Sequence, residues 1–271
     1  MSPWRQTSFI SANDSSRLGR RYTRSQFSLF KISACERFLP LGKISRPKLF
    51  VLSLLLLAAR ITCAQETVFD VPSADILDKG QIYGELDGTA LAVGPLFTFT
   101  PRVVVGAGHH IEVGLNINGL SSPAFSQLDL SPTIKWQIWR RESGWSFYIG
   151  DDVFFPVRQR RYNAGNYFYA SFAKQWKHGT RIGFGSYDFT RNVVASVNRA
   201  GGQFTFEQLI NKRLTLAAEW YTGNHAVGYV NPGAIFKLTS KLTVYAAYQI
   251  GNADVSKGNH QFLWELGYNF N

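Results

Sequence analysis

From residue 81 to the end, the chain alternates apolar and polar positions with a period of two. In Phe262–Phe270, residues Phe262, Trp264, Leu266, Tyr268 and Phe270 share one face, and Leu263, Glu265, Gly267 and Asn269 share the other. Side chains of a strand point alternately to its two faces, so this pattern predicts strands with oil on one side and water on the other. Twelve such segments are read: 81–90, 96–105, 110–119, 127–139, 145–155, 166–176, 181–189, 202–210, 214–222, 227–238, 242–250 and 261–270. Most have the length that a tilted strand needs to cross a hydrocarbon layer, roughly 9 to 11 residues. The seventh is ambiguous, because Ile182 and Phe184 alternate with glycines and the pattern then reverses.

The connectors alternate as well. Those after even strands are tight, such as Asn211-Lys212-Arg213 and Thr239-Ser240-Lys241, whereas Pro156–Gly165, Thr190–Gly201 and Gly251–His260 follow odd strands and are longer. Outer-membrane barrels have short periplasmic turns and longer external loops. The expected fold is therefore all-β: a transmembrane antiparallel up-and-down β-barrel of about twelve strands, with both chain ends in the periplasm. A soluble β-sandwich would also alternate. Tryptophans near strand ends (Trp136, Trp145, Trp176, Trp220 and Trp264) favour the barrel, because aromatic girdles form at the membrane interfaces.

Charge divides the chain. The formal net charge of +11 is concentrated in residues 1–64, which hold 11 Lys/Arg against 2 Asp/Glu; residues 65–271 hold 18 against 16. The strands thus offer no continuous basic stripe for a phosphate backbone, and a nucleic-acid partner is not expected. Lys43, Arg46 and Lys48 precede the apolar run Leu49–Ala59, and Thr62-Cys63-Ala64 supplies small residues before Gln65. This reads as an N-terminal extension and secretory signal peptide over 1–64, followed by a periplasmic segment at 65–80 and the barrel at 81–271. Cys35 and Cys63 both fall in the leader, so the rest of the chain has no thiol for a disulfide, zinc site or nucleophile.

Parity assigns the two faces. Phe97, Val103, Val113, Leu115, Ile134, Trp136 and Ile138 face lipid. The expected lumen lining includes Glu85, Asp87, Arg102, Glu112, Asp129, Lys135, Glu207, Glu219, Lys237 and Glu265, because a Lys or Arg on the lipid face costs about 2 to 4 kcal/mol at the midplane. Seven acids against three bases suggest a hydrated pore with mild cation preference, or else acids and bases paired across a filled lumen. Arg158, Arg160 and Arg161 form a basic cluster in an external loop, able to attract anionic solutes or lipopolysaccharide phosphates. Five histidines lie in or near connectors without metal-ligand spacing, and no serine–histidine pair stands out for a barrel lipase. Neither an enzyme, a cofactor nor a metal is expected.

Two stretches, VPSADILDKGQIYGELDG (Val71–Gly88) and FTPRVVVGAGHHIEVGLNI (Phe99–Ile117), together with the closing strand, resemble a broad family of bacterial outer-membrane transporter-like barrels, some assigned to phenol-degradation meta-pathways. The resemblance implies a fold and a place in the bacterial outer membrane rather than a substrate. The expected function is a porin-like channel passing small solutes through a polar lumen, the alternative being a non-conducting surface or scaffold barrel that acts through its loops. Expected partners are outer-membrane lipid, small solutes and the barrel-insertion machinery, which would read the C-terminal strand.

Overall fold

The computed structural model describes residues 66–92, 96–122, 128–158, 164–194, 196, 198–252 and 260–271. The leader expected at 1–64 lies outside them. The strands are β1 (Ile82–Leu91), β2 (Phe97–Gly108), β3 (Ile111–Asn118), β4 (Leu120–Ser122), β5 (Leu128–Arg140), β6 (Trp145–Arg158), β7 (Gly165–Gln175), β8 (Thr180–Phe189), β9 (Ala200–Leu209), β10 (Leu214–Tyr221), β11 (Tyr229–Lys237), β12 (Leu242–Gly251) and β13 (Gln261–Asn269). Strands β3 and β4 are one barrel strand. Both pair with β2, and the register moves from Arg102↔Asn116 to Phe99↔Leu120, so one extra residue is inserted near Gly119. Gly119 has φ +84°, a left-handed conformation that glycine adopts without Cβ strain.

Every pairing is antiparallel. The last strand closes on the first, from Tyr83↔Asn269 to Leu91↔Gln261, while β1 also pairs with β2. The result is a closed twelve-stranded barrel. Closure matters because an unpaired N–H or C=O in hydrocarbon has no water to turn to. Asn271 completes the seam: its side-chain oxygen accepts from the Ile82 N–H at 2.9 Å and its amide donates to Gly80 O at 2.9 Å.

The exterior is apolar. Phe97 is 46% exposed, Trp136 43% and Phe262 55%, which excludes a sandwich with these groups in a dry interior. Trp145 and Trp176 sit at the short-turn rim, each with the Lys174 ammonium over its ring. Trp220 sits near the opposite end, its indole N–H bonded to Asn252 Oδ1 at 3.1 Å. Trp136 and Trp264 lie within their strands rather than at the ends.

Parity on β8 is continuous after all. Ile182, Phe184, Ser186 and Asp188 are outward-facing and Tyr187 and Phe189 are buried inside, so the apparent reversal is an inward aromatic cluster, not a change of face. The tightest hairpin joins β2 to β3 through His109 (φ 53°) and His110 (φ 61°). Two consecutive left-handed residues make the mirror-image turn whose twist suits a two-residue hairpin.

Phe184 lies at the middle of β8, facing outward between Phe172 and Phe204. Phe184→Arg should destabilise the lipid-embedded barrel by about 2 to 4 kcal/mol, measured by denaturant unfolding in liposomes.

Candidate functional site: the occupied lumen

Glu85, Asp87, Glu112, Asp129, Lys135, Glu207, Glu219 and Glu265 are buried, as is the Arg102 side chain, and Lys237 is half-buried near a short turn. Their ion pairs run along the wall instead of across the lumen. Glu112 faces Lys135 across β3/β5, Glu85 faces Arg102 across β1/β2, and Arg181 faces Glu207 across β8/β9. The respective distances are 2.6 Å for Lys135 Nζ–Glu112 Oε1, 3.1 Å for Arg102 Nη1–Glu85 Oε1 and 2.7 Å for Arg181 Nε–Glu207 Oε1. Arg181 is a fourth inward base. Its register opposite the inward Glu207 was the signal that would have found it, and the ambiguous parity of β8 hid that signal.

The centre of the lumen is filled by backbone. Residues 65–80 were expected to form a periplasmic segment; in the structure Glu66–Leu77 is packed among the inward side chains, before Asp78–Gln81 turns the chain into β1. That turn is tight, with Gln81 N–H bonded to Asp78 O at 2.9 Å and Gly80 at φ +79°. Period-two reasoning identifies strands, and a non-strand segment that enters a lumen leaves no such mark.

Glu219 on β10 holds the apex. Its carboxylate accepts three consecutive backbone N–H bonds, from Phe69 at 3.0 Å, Asp70 at 2.8 Å and Val71 at 2.9 Å. Asn231 on β11 steadies it by donating to Oε1 at 2.7 Å. Other wall groups bond further polar atoms of the segment. Lys135 Nζ donates to Glu66 O (3.0 Å), Tyr148 OH to Pro72 O (2.8 Å), Gln137 Nε2 to Ala74 O (2.8 Å) and Gln249 Nε2 to Asp70 Oδ2 (2.6 Å). Glu112 accepts from Leu77 N–H at 2.9 Å, and Arg181 pairs with Asp75 at 2.8 Å. Buried backbone polar groups need such partners, and here the barrel wall supplies them.

Apolar packing completes the fit. Val68 and Phe69 pack with Ala217, Ile235, Tyr245, Ala247 and Leu263. Val71 joins a second group with Tyr148, Tyr167, Tyr169, Tyr187 and Tyr221. Gly233 makes room for the insertion, because a Cβ there would stand 2.7 Å from Phe69 Cζ. Near the external rim His225 is fully buried and bonded to Tyr187 OH through Nε2 at 2.6 Å; burial lowers its pKa, so the ring is neutral at neutral pH. The basic loop cluster lies largely outside the described residues: Arg160 and Arg161 are not among them, and Arg158 is described only as the last residue of β6.

Comparison with known proteins agrees on architecture. No protein-family profile and no curated protein matches the chain. Among solved structures it is similar to a KdgM porin in complex with disordered oligogalacturonate, at 8% identity and TM-score 0.53 over 70% of this chain and 99% of that one. It is also similar to the NanC porin (11% identity, TM-score 0.50, 69% of this chain and 99% of that one). A third is the COG4313 outer membrane channel from Pseudomonas putida F1 (13% identity, TM-score 0.50, 74% of this chain and 100% of that one). At such identities the likeness is one of fold. The chain has the fold of bacterial outer-membrane β-barrels.

Glu219→Ala should loosen the inserted segment, because each hydrogen bond to a charged group contributes about 1.5 to 3 kcal/mol. Amide exchange at Phe69, Asp70 and Val71 should rise at least tenfold in the variant while the β-strand amides keep their protection.

Proposed function

We propose that this protein is an outer-membrane channel for small solutes whose passage is controlled by its own N-terminal segment. The observation that supports this most is the way the lumen is filled. The occupying element is a length of chain held by a polar wall, and the wall's ion pairs are already made between neighbouring strands. Removing Glu66–Leu77 would therefore leave a polar, internally paired lining rather than a collapsed core. The shared fold with the KdgM and NanC porins and the COG4313 channel is consistent with this reading.

The lining also bears on the choice of solute. The inward acids Glu85, Asp87, Glu112, Asp129, Glu207, Glu219 and Glu265 outnumber the inward bases Arg102, Lys135, Arg181 and Lys237. Rings of carboxylates favour cations, so small cationic or neutral polar solutes suit the lumen once the segment withdraws. Outer-membrane lipid contacts the apolar exterior, and β13 is the strand that insertion machinery would read.

A second reading, a scaffold barrel that never conducts and acts through its loops, is supported by the complete burial of Val68 and Phe69. Planar-bilayer recordings separate the two. Full-length protein should show rare or small conductance steps. A variant lacking residues 66–77 should show steady steps at least several-fold larger, with a reversal potential favouring cations. Membranes that stay sealed with the deleted, correctly folded barrel would support the scaffold instead.

A further inference from the structure

We propose that the seam between β1 and β13 carries a cation site formed by Glu85, Asp87 and Glu265, of a size that suits Ca2+. The barrel's closing register sets Asp87 directly opposite Glu265. Glu85, two residues before Asp87, shares its inward face. One carboxylate oxygen from each of the three lies within 4.8 Å of the others, and the residues are 5%, 8% and 0% exposed.

With all its carboxyl groups ionised, the cluster carries more negative charge than its one base offsets. Arg102 is the base in this group, with Nη2 2.6 Å from Asp87 Oδ2 and Nη1 3.1 Å from Glu85 Oε1, and it also faces Glu66 at 3.5 Å. One guanidinium thus stands among four carboxylates. Tyr83 OH donates to Glu85. Glu265 is different: it is wholly buried, and neither Oε1 nor Oε2 has a hydrogen-bond partner, nor has Asp87 Oδ1. Like charges placed directly opposite across two strands repel, and a buried carboxylate without a partner is strongly destabilising. A shared cation answers both problems and ties the first strand to the last.

Ligand reach and dehydration favour one cation. Ca2+ takes oxygen ligands at about 2.3 to 2.6 Å in flexible geometry, so two of its ligands can stand about 5 Å apart; Mg2+ at about 2.0 to 2.1 Å limits them to about 4.2 Å and dehydrates reluctantly. Three carboxylate oxygens within 4.8 Å of one another all fall within reach of one Ca2+ ion, and a site this buried favours the ion that sheds water more readily. The site is in the wall, so it is independent of whether the lumen conducts.

The test uses full-length protein folded into detergent micelles after EDTA treatment, with CaCl2 or MgCl2 added during folding. Bound metal and the thermal unfolding midpoint are measured. One Ca2+ per chain is expected, with a midpoint rise of roughly 5 °C near saturation and at least tenfold weaker binding of Mg2+. Glu265→Gln and Asp87→Asn should each lose both the ion and the rise, whereas exposed Asp188→Asn should keep them. Should Glu265→Gln fail to fold, Asp87→Asn carries the comparison. Wild-type protein that binds no Ca2+ and whose midpoint ignores it would overturn the site, with Glu265 then holding a proton. Retention of the ion by the folded Glu265→Gln and Asp87→Asn variants would overturn it equally.

Discussion

A hydrocarbon layer offers no hydrogen-bond partner to a peptide group, and that constraint organises this molecule. It requires the sheet to close, which β1 and β13 do along nine paired positions from Tyr83↔Asn269 to Leu91↔Gln261. Closure in turn fixes the alternation. Every second side chain must meet acyl tails, as Phe97, Ile134 and Phe204 do, and the side chains between them must live together in an enclosed space. Polar residues are tolerated there only if they find partners, and the first partners available are on the neighbouring strand. Glu112 with Lys135, Glu85 with Arg102 and Arg181 with Glu207 follow directly from register.

Cross-strand pairing leaves the middle of a twelve-stranded ring unfilled by the wall. The chain fills it with its own backbone, and the choice of groups is informative. A carboxylate receiving three successive N–H bonds, as Glu219 does, grips main chain rather than any particular side chain. The apolar residues Val68, Phe69 and Val71 then remove the remaining space by packing on tyrosines and aliphatics. Polar grip and apolar fit act on one short stretch, and three of its backbone bonds converge on the single side chain of Glu219. Attachment through the turn at Asp78–Gln81 keeps the stretch at the barrel if it leaves the lumen.

Much of the fold was legible in the sequence because period two is a strong signal when both faces are demanding. The twelve expected spans match the observed strands to within about three residues at most ends, and the inward set from Glu85 to Glu265 was read by parity alone. Two things were hidden. Arg181 was missed because inward Tyr187 and Phe189 mimic lipid-facing residues, which left the parity of β8 ambiguous. The inserted segment was missed because Glu66–Leu77 is neither strand nor helix: its placement depends on long-range bonds to Glu219, Gln137 and Gln249, which no local pattern records. Gly233, an inward glycine opposite Phe69, was the nearest local hint.

The occupancy of the lumen by residues 66–77 can be measured directly by single introduced cysteines, since residues 65–271 contain none of their own. Val68 is fully buried against the inner wall, whereas Asp78 is exposed in the turn before β1. In folded, lipid-embedded protein the thiol of the Val68→Cys variant should resist a water-soluble maleimide, and that of the Asp78→Cys variant should label readily. Labelling of folded Val68→Cys as fast as the exposed control would contradict the account.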